Sequence, residues 1–209
     1  MKLSKIFKKV INENELIEDY PTSFDREFFK TLTSFNARIK YCEENLQRIS
    51  SGSSRIVYKI DDEKCLKLAK NKKGLTQNEV ESDFSRDWYI NHLFAEVYDT
   101  HKNYLWIEMQ LAKKVSKSDF KKYLDLDFDD FCMMIDIFGS ENTSSVYRPE
   151  NIDELYENEM VQAMNDFIVN YEVPIGDLKR LSSYGIVNDD IVLVDYGLDK
   201  DAYITHYKK

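Results

Sequence analysis

A lysine inside an apolar strand is the feature that most limits how this chain can fold. Lys67 lies in the run Cys65–Ala69, which follows the β-branched segment Arg55–Ile60 and the acidic turn Asp61–Glu63. Strand-like residues on both sides of a polar turn predict a β-hairpin. An ammonium group buried in such a strand is costly unless a carboxylate or a phosphate lies against it. We therefore expect an acidic partner or an anionic ligand beside Lys67.

The segment after this hairpin supplies two acidic candidates. We predict a helix over Thr76–His92, with Thr76 as its N-cap. Glu79 and Glu81 both lie on this helix, directly behind the strand that carries Lys67. Either carboxylate is a possible partner for the ammonium group.

The remaining pattern predicts an α+β fold. Apolar residues recur at helical spacing in four further segments, residues 4–18, 28–46, 128–138 and 155–171. Further strands are expected over residues 93–98 and 104–110, and a second hairpin over 184–194. Residues 49–54 are interpreted as a turn of small residues, and residues 139–150 as a loop. The first half should therefore hold a small antiparallel sheet, and the second half should be mostly helical.

Composition excludes several classes of protein. With only 6 Gly and 3 Pro, the chain is not collagen-like or mucin-like. No apolar run reaches the ~20 residues of a membrane-spanning helix, and the first residues lack the apolar stretch of a secretory signal. Three cysteines without paired spacing argue against a disulfide scaffold or a zinc site. We expect a cytoplasmic protein; its Lys-, Asn- and Ile-rich composition indicates an AT-rich microbial or viral genome, which would place it in the host cytoplasm or virion if viral.

Charge is unevenly distributed along the chain. The net charge is −9, and residues 119–172 carry 14 acidic and 3 basic side chains. An acidic half repels phosphate backbones, so we expect no general nucleic-acid binding. This block is interpreted as a solvated helical face, with docking of a basic partner as the alternative. The amphipathic segment 4–18 fits docking to an unknown protein partner better than a membrane surface, because glutamates interrupt its polar face.

Four segments of the first half follow one another in a known order. They are Ser50–Val57 with Gly52, Cys65–Leu68 with Lys67, Gln77–Glu81, and Trp106–Leu111. In this order they resemble the Gly-rich loop, the lysine strand, the glutamate helix and the hinge strand of the protein-kinase-like superfamily.

The resemblance assigns roles to the residues of these segments. It makes Lys67 the phosphate-binding lysine and favours Glu81 over Glu79 as its partner, because Glu81 borders the buried face of its helix. Val57 would pack over the base, and backbone groups near Met109 and Leu111 would contact adenine. Of the three loop glycines only Gly52 is kept, since Ser50 and Arg55 replace the outer two.

The second half adds the two most specific segments. Pro174–Ser183 resembles the kinase catalytic loop, and Leu193–Leu198, with Asp-Tyr-Gly, resembles the Asp-Phe-Gly segment. The resemblance implies that Asp177 is the catalytic base, that Lys179 steadies the transferring phosphate, and that Asp195 binds magnesium.

Departures from the family pattern bear on activity. The catalytic-loop asparagine is absent, and Ser182 or Ser183 stands in its place as a poorer metal ligand. The His-Arg pair of that loop is Ile175-Gly176 here. The short stretch after Leu198 leaves no room for an activation segment or a lower helical subdomain.

The resemblance implies a bilobal protein-kinase-like fold with a minimal C-terminal lobe. We expect a helical extension over residues 1–47, an N-terminal lobe over 48–111 and a reduced C-terminal lobe over 112–209. The implied ligands are ATP and Mg²⁺, and the implied reaction is phosphate transfer to an unknown acceptor. The alternatives are a catalytically impaired pseudokinase that serves as a viral accessory, structural or regulatory interaction protein, and an unrelated α+β interaction protein.

Overall fold

The computed structural model describes residues 20–140 and 148–207, which form a mixed α+β fold. The α-helices of the described residues are α1 (Arg26–Thr31), α2 (Phe35–Asn45), α3 (Lys72–Arg86), α4 (Lys117–Leu124), α5 (Phe128–Phe138), α6 (Ile152–Glu157), α7 (Glu159–Tyr171) and α8 (Lys200–His206). The strands are β1 (Gln47–Ser51), β2 (Arg55–Lys59), β3 (Lys64–Ala69), β4 (Val97–Thr100), β5 (Trp106–Gln110), β6 (Lys113–Lys114), β7 (Tyr184–Val187) and β8 (Asp190–Leu193). The predicted α+β class is confirmed.

A five-stranded antiparallel sheet carries the lysine strand at its centre. Its order is β1-β2-β3-β5-β4, and the predicted hairpin is β2–β3, in which Val57 pairs with Lys67. Because side chains alternate across a strand, the sheet has two different faces. Leu66 and Leu68 belong to the apolar layer of the outer face, whereas Cys65 faces the core shared with the second half.

Helices α1 and α2 cover the outer face of this sheet. Their buried apolar residues join those of β2, β3 and β5 in one cluster of Phe24, Phe29, Cys42, Leu46, Ile56, Tyr58, Ile60, Leu66, Leu68 and Trp106. Removing this much apolar surface from water is the main stabilisation of the layer. The two helices are therefore part of the packed sheet unit.

Both long helical stripes are divided in the structure. The prediction of one helix over 28–46 is wrong, because Ser34 caps a new helix by accepting from a backbone N–H at 3.1 Å. The stripe over 155–171 is likewise split at Asn158, whose side chain accepts from two backbone N–H groups of α7. Such caps satisfy the free N–H groups of a helix start. Phe28, the first residue of the predicted stripe, is 49% exposed, and its neighbour Phe29 is buried instead.

Helix α3 begins and ends earlier than the sequence predicts. It spans Lys72–Arg86 instead of Thr76–His92, and Asn71 is its N-cap, accepting from Gly74 N at 3.2 Å. Gly74 lies so close to the sheet that an added Cβ would be 2.3 Å from the Ser54 carbonyl oxygen. This contact fixes the start of α3 against the loop between β1 and β2.

The second half packs four helices against a small sheet. Helices α4 to α7 and the sheet β6-β7-β8 share the largest apolar cluster, which also contains Cys65, Ile107 and Met109 of the five-stranded sheet. The hairpin β7–β8 is confirmed, and it turns on Asn188 and Asp189, which adopt φ of 51° and 69°. Asn and Asp tolerate this left-handed conformation better than most residues.

Several elements differ from the prediction or lie beyond what is described. Strand β1 takes residues 49–51 of the predicted turn, and only residues 52–54 form the connection to β2. The strand predicted at 93–98 begins only at Val97, and helices α4 and α8 were not predicted. The helix predicted over 4–18 lies outside the described residues, as does most of the loop over 139–150. Within residues 20–140 and 148–207, no helix combines the length and apolar character needed to cross a bilayer.

Candidate functional site

A cavity of about 880 Å³ lies between the five-stranded sheet and the β6-β7-β8 sheet. Residues from seven separate segments of the chain line it. The predicted site residues in this lining are Gly52, Val57, Lys67, Met109, Leu111, Asp177, Ser182 and Asp195. Of the other predicted residues, Glu81 lies behind the wall and Lys179 lies outside the lining.

Glu81 is the partner of Lys67. Its Oε2 is 2.7 Å from Lys67 Nζ, and both side chains are almost fully buried. Glu79 is exposed on the opposite side of α3. Lys67 Nζ also donates to the Val194 carbonyl oxygen, which ties the sheet to the segment before Asp195.

Arg55 is the residue of the site that sequence reasoning missed. Its guanidinium contacts both carboxylate oxygens of Glu81, through an Nη1–Oε2 ion pair at 2.8 Å and an Nη2–Oε1 hydrogen bond at 2.9 Å. The same Nη2 lies 2.6 Å from Asp195 Oδ1. Arg55 therefore joins α3 to the Asp-Tyr-Gly segment through one buried, two-pronged contact of the kind that arginine makes best.

The charges of this cluster compensate one another. Burial raises the pKa of Glu81, but Arg55 and Lys67 outweigh it and hold that pKa below its usual value. Burial alone would lower the pKa of Arg55, whereas Glu81 and Asp195 raise it above its usual value. The carboxylate and the guanidinium therefore both remain charged across the neutral range.

The loop that carries Asp177 is held by its neighbours. Ser183 is buried, and its hydroxyl donates to the Asp177 carbonyl oxygen at 2.7 Å. Tyr184 OH donates to the Leu178 carbonyl oxygen at 2.6 Å. Ser183 therefore supports the loop, whereas Ser182 is exposed and lines the cavity.

The two charged side chains predicted to act in this loop lie on different sides: Asp177 lines the cavity, and Lys179 lies against α5. Asp177 faces the cavity and pairs with Arg180 at 2.9 Å. Lys179 Nζ instead lies 2.5 Å from Asp136 Oδ1 on α5. In this arrangement Lys179 is engaged away from the cavity, so the position predicted for it beside a transferred phosphate is not the one it takes.

The Asp-Tyr-Gly segment packs tightly under α3. The Tyr196 ring stacks on Phe94 at 4.2 Å, and its backbone N–H donates to Glu81 Oε1 at 3.3 Å. A Cβ on Gly197 would be 2.6 Å from the Gln77 carbonyl oxygen. These contacts fix where Asp195 lies.

The apolar end of the cavity lies against β5. Val57, Cys65 and Met109 line it, and burial raises the pKa of the Cys65 thiol to about 11. The Leu111 backbone N–H donates to the Glu63 carbonyl oxygen at 2.6 Å. A nucleotide base bound at this end would therefore have to form its hydrogen bonds with backbone groups other than the Leu111 N–H.

The groups around Asp195 do not fit a divalent metal ion as they stand. A guanidinium nitrogen lies 2.6 Å from its Oδ1, at the distance of a charged hydrogen bond. Among residues 20–140 and 148–207, no group of three or more His, Cys, Asp or Glu side chains is arranged to hold a metal. The predicted ligands Asp195 and Ser182 thus offer a cation one carboxylate that is already paired and one hydroxyl.

Comparison with known proteins adds no family to this picture. No family model matches the chain, and no curated protein or solved structure matches it significantly. The interpretation of the cavity therefore depends on its own geometry and on the motifs in the sequence.

Proposed function

We propose that this is a kinase-like nucleotide-binding protein, which takes ATP in the cavity between the sheet unit and the helical second half. The observation that carries the proposal is the convergence of eight predicted residues from five segments on one cavity. Segments separated by more than a hundred residues meet there, and the kinase-like resemblance is what gives each of them a role. A bilobal architecture with the sheet unit as the first lobe follows from the same proposal.

The two ends of the cavity suit the two ends of a nucleotide. Val57 and Met109 offer apolar surface to a base, and Lys67 offers a fixed positive charge to phosphate. The loop of serines around Gly52 lines the same cavity, and loops of this kind can bind phosphate through backbone N–H groups. A cavity with an apolar end and a few convergent polar groups is the usual form of a ligand site.

Weak or absent catalysis is part of the proposal. Lys179 is paired with Asp136, Asp195 is paired with Arg55, and the catalytic-loop asparagine is missing. Phosphoryl transfer depends on positioned charges more than on covalent chemistry, so these losses remove most of what the reaction needs. The protein then acts as a pseudokinase, a nucleotide-dependent binding or regulatory protein.

Phosphoryl transfer is the second candidate, and one observation favours it. Asp177 faces the same cavity as Lys67, where a catalytic base would have to lie. If the protein is an active kinase, it incorporates labelled γ-phosphate into itself or a partner, and Asp177→Asn abolishes this labelling. Equal labelling by the wild type and Asp177→Asn would remove Asp177 from the role of base.

Thermal unfolding with and without ATP tests nucleotide binding. Ligand at 100 times its Kd adds about 2.7 kcal/mol, which raises the Tm of a domain of this size by about 5–10 °C. Lys67→Met should abolish the rise. Lys59→Met, which changes a partly exposed lysine of β2 outside the cavity lining, should keep it. Val57→Trp fills the apolar end of the cavity and should also abolish the rise. An unchanged Tm of the wild type at millimolar ATP would overturn the proposal.

A further inference from the structure

The cavity is a positively charged site in an acidic protein. Five cationic side chains and two carboxylates are among its lining residues, although the whole chain carries −9. The cations are Arg55, Lys67, Lys113, Lys114 and Arg180. Such a lining attracts a polyanion without help from a bound metal ion.

Arg55 occupies the place where a metal ion would be needed most. In a nucleotide site, a carboxylate such as Asp195 repels the phosphates unless a cation lies between them. Here the guanidinium of Arg55 lies 2.6 Å from that carboxylate and is held on its other side by Glu81. Its orientation is therefore fixed before any ligand arrives.

The side chains of Arg55, Glu81 and Asp195 differ in how far they are exposed to solvent. Arg55 and Glu81 are buried, with side-chain exposures of 8% and 0%, whereas the Asp195 side chain is 52% exposed. The buried pair forms a fixed support, and Asp195 presents a carboxylate that is already neutralised on the cavity side. A divalent ion bound to Oδ1 of Asp195 would have to displace the guanidinium.

We propose that Arg55 replaces the divalent metal ion at Asp195, so that the cavity binds the polyphosphate of a nucleotide as the metal-free anion. This inference rests on the proposed function and names the ionic form of its ligand. It also explains why arginine stands where the kinase-like loop has its last glycine: the side chain supplies the charge that the metal supplies elsewhere.

Equilibrium binding of ATP in EDTA and in excess Mg²⁺ tests this inference. The wild type should bind at least as tightly in EDTA as in Mg²⁺. In Arg55→Gln the order should reverse, with binding in EDTA weakened by on the order of tenfold and partly restored by Mg²⁺. Arg48→Gln, which changes an exposed arginine of β1, is the matched control and should behave as the wild type.

Asp195→Asn provides a test that does not depend on the folding of Arg55→Gln. Because the Asp195 side chain is half exposed, this variant should fold, and it leaves the guanidinium free to face phosphate. Its binding of ATP in EDTA should be unchanged or tighter. A metal-dependent site would instead lose binding when this carboxylate is removed.

The outcomes separate this inference from the proposed function. Binding of ATP by the wild type only when Mg²⁺ is present would overturn the role of Arg55 and leave the nucleotide site standing. Loss of binding in Asp195→Asn would also overturn it. No binding under either condition would overturn both proposals.

Discussion

The Glu81 carboxylate lies 2.7 Å from the Lys67 ammonium group and connects helix α3 to the central strand of the sheet. Lys67 is 5% exposed to solvent and Glu81 is fully buried. A buried pair of this kind gives little net stability, but breaking it leaves one charge without compensation. The cost of removing either partner therefore reports whether the pair forms.

Glu81→Gln should destabilise the protein by about 3–5 kcal/mol, because it leaves Lys67 and Arg55 facing a neutral amide. Glu79→Gln, on the exposed side of the same helix, should change the free energy of unfolding by less than about 0.5 kcal/mol. Urea unfolding of the two variants measures both values. Equal losses would mean that α3 does not present Glu81 to the sheet.

Acid should unfold the wild type through the same carboxylate. The pKa of Glu81 in the folded protein is held below its usual value of 4.5, so its contribution is complete above that pH and is lost as the pH falls towards the lower folded value. Unfolding free energies between pH 6 and pH 3 should therefore decrease more steeply in the wild type than in Glu81→Gln. Parallel pH profiles would show that Glu81 is not held in its ionised form.

Gly197→Ala should destabilise the Asp-Tyr-Gly segment by about 1–3 kcal/mol, because the new Cβ would be 2.6 Å from a backbone oxygen of α3. Gly176→Ala is its control, since a Cβ there has nothing within 4 Å among the described residues. Thermal unfolding of both variants is the measurement. An unchanged Tm of Gly197→Ala would contradict the close approach of this segment to α3.

Phe29→Ala should cost about 3–5 kcal/mol, since the side chain is 1% exposed beneath the outer face of the sheet. The neighbouring Phe28 is 49% exposed, and Phe28→Ala should cost about 1 kcal/mol or less. Chemical denaturation of the pair tests whether α1 is packed against the sheet. Similar small costs for both would mean that α1 lies apart from it.

Protection of Cys65 should report occupation of the cavity. Its thiol lines the apolar end, and burial raises its pKa to about 11, so alkylation should be slow near neutral pH and slower still with ATP. Cys132, which lies outside the cavity lining, serves as the internal comparison, and mass spectrometry measures both rates. An effect of ATP on Cys132 alone would argue against the site.

Sequence pattern predicted the strands that are largely buried. The hairpin β2–β3 was recognisable because apolar residues mark its buried positions, and Lys67 stood out against them. Strand β1 was not recognisable, because all five of its residues are exposed and buried and exposed positions do not alternate along it. The break at Ser34 was hidden because apolar residues recur at helical spacing on both sides of it, although serine before a helix is itself a capping signal.

The sequence predicted which residues line the cavity better than it predicted which side chains form ion pairs there. Lys67, Asp177 and Asp195 are recognisable from their motifs, and they line one cavity. Arg55 was read only as a lost glycine, because its role depends on an ion pair with Asp195, 140 residues away in the chain. The pairing of Lys179 with Asp136 depends on the packing of α5, which local sequence does not reveal.

A crystal structure of the full chain with a non-hydrolysable ATP analogue tests the central claim most directly. The account predicts the base against Val57 and Met109 and the phosphates within hydrogen-bonding distance of Lys67 Nζ. An analogue bound elsewhere, or an empty cavity at a saturating concentration of the analogue, would contradict it.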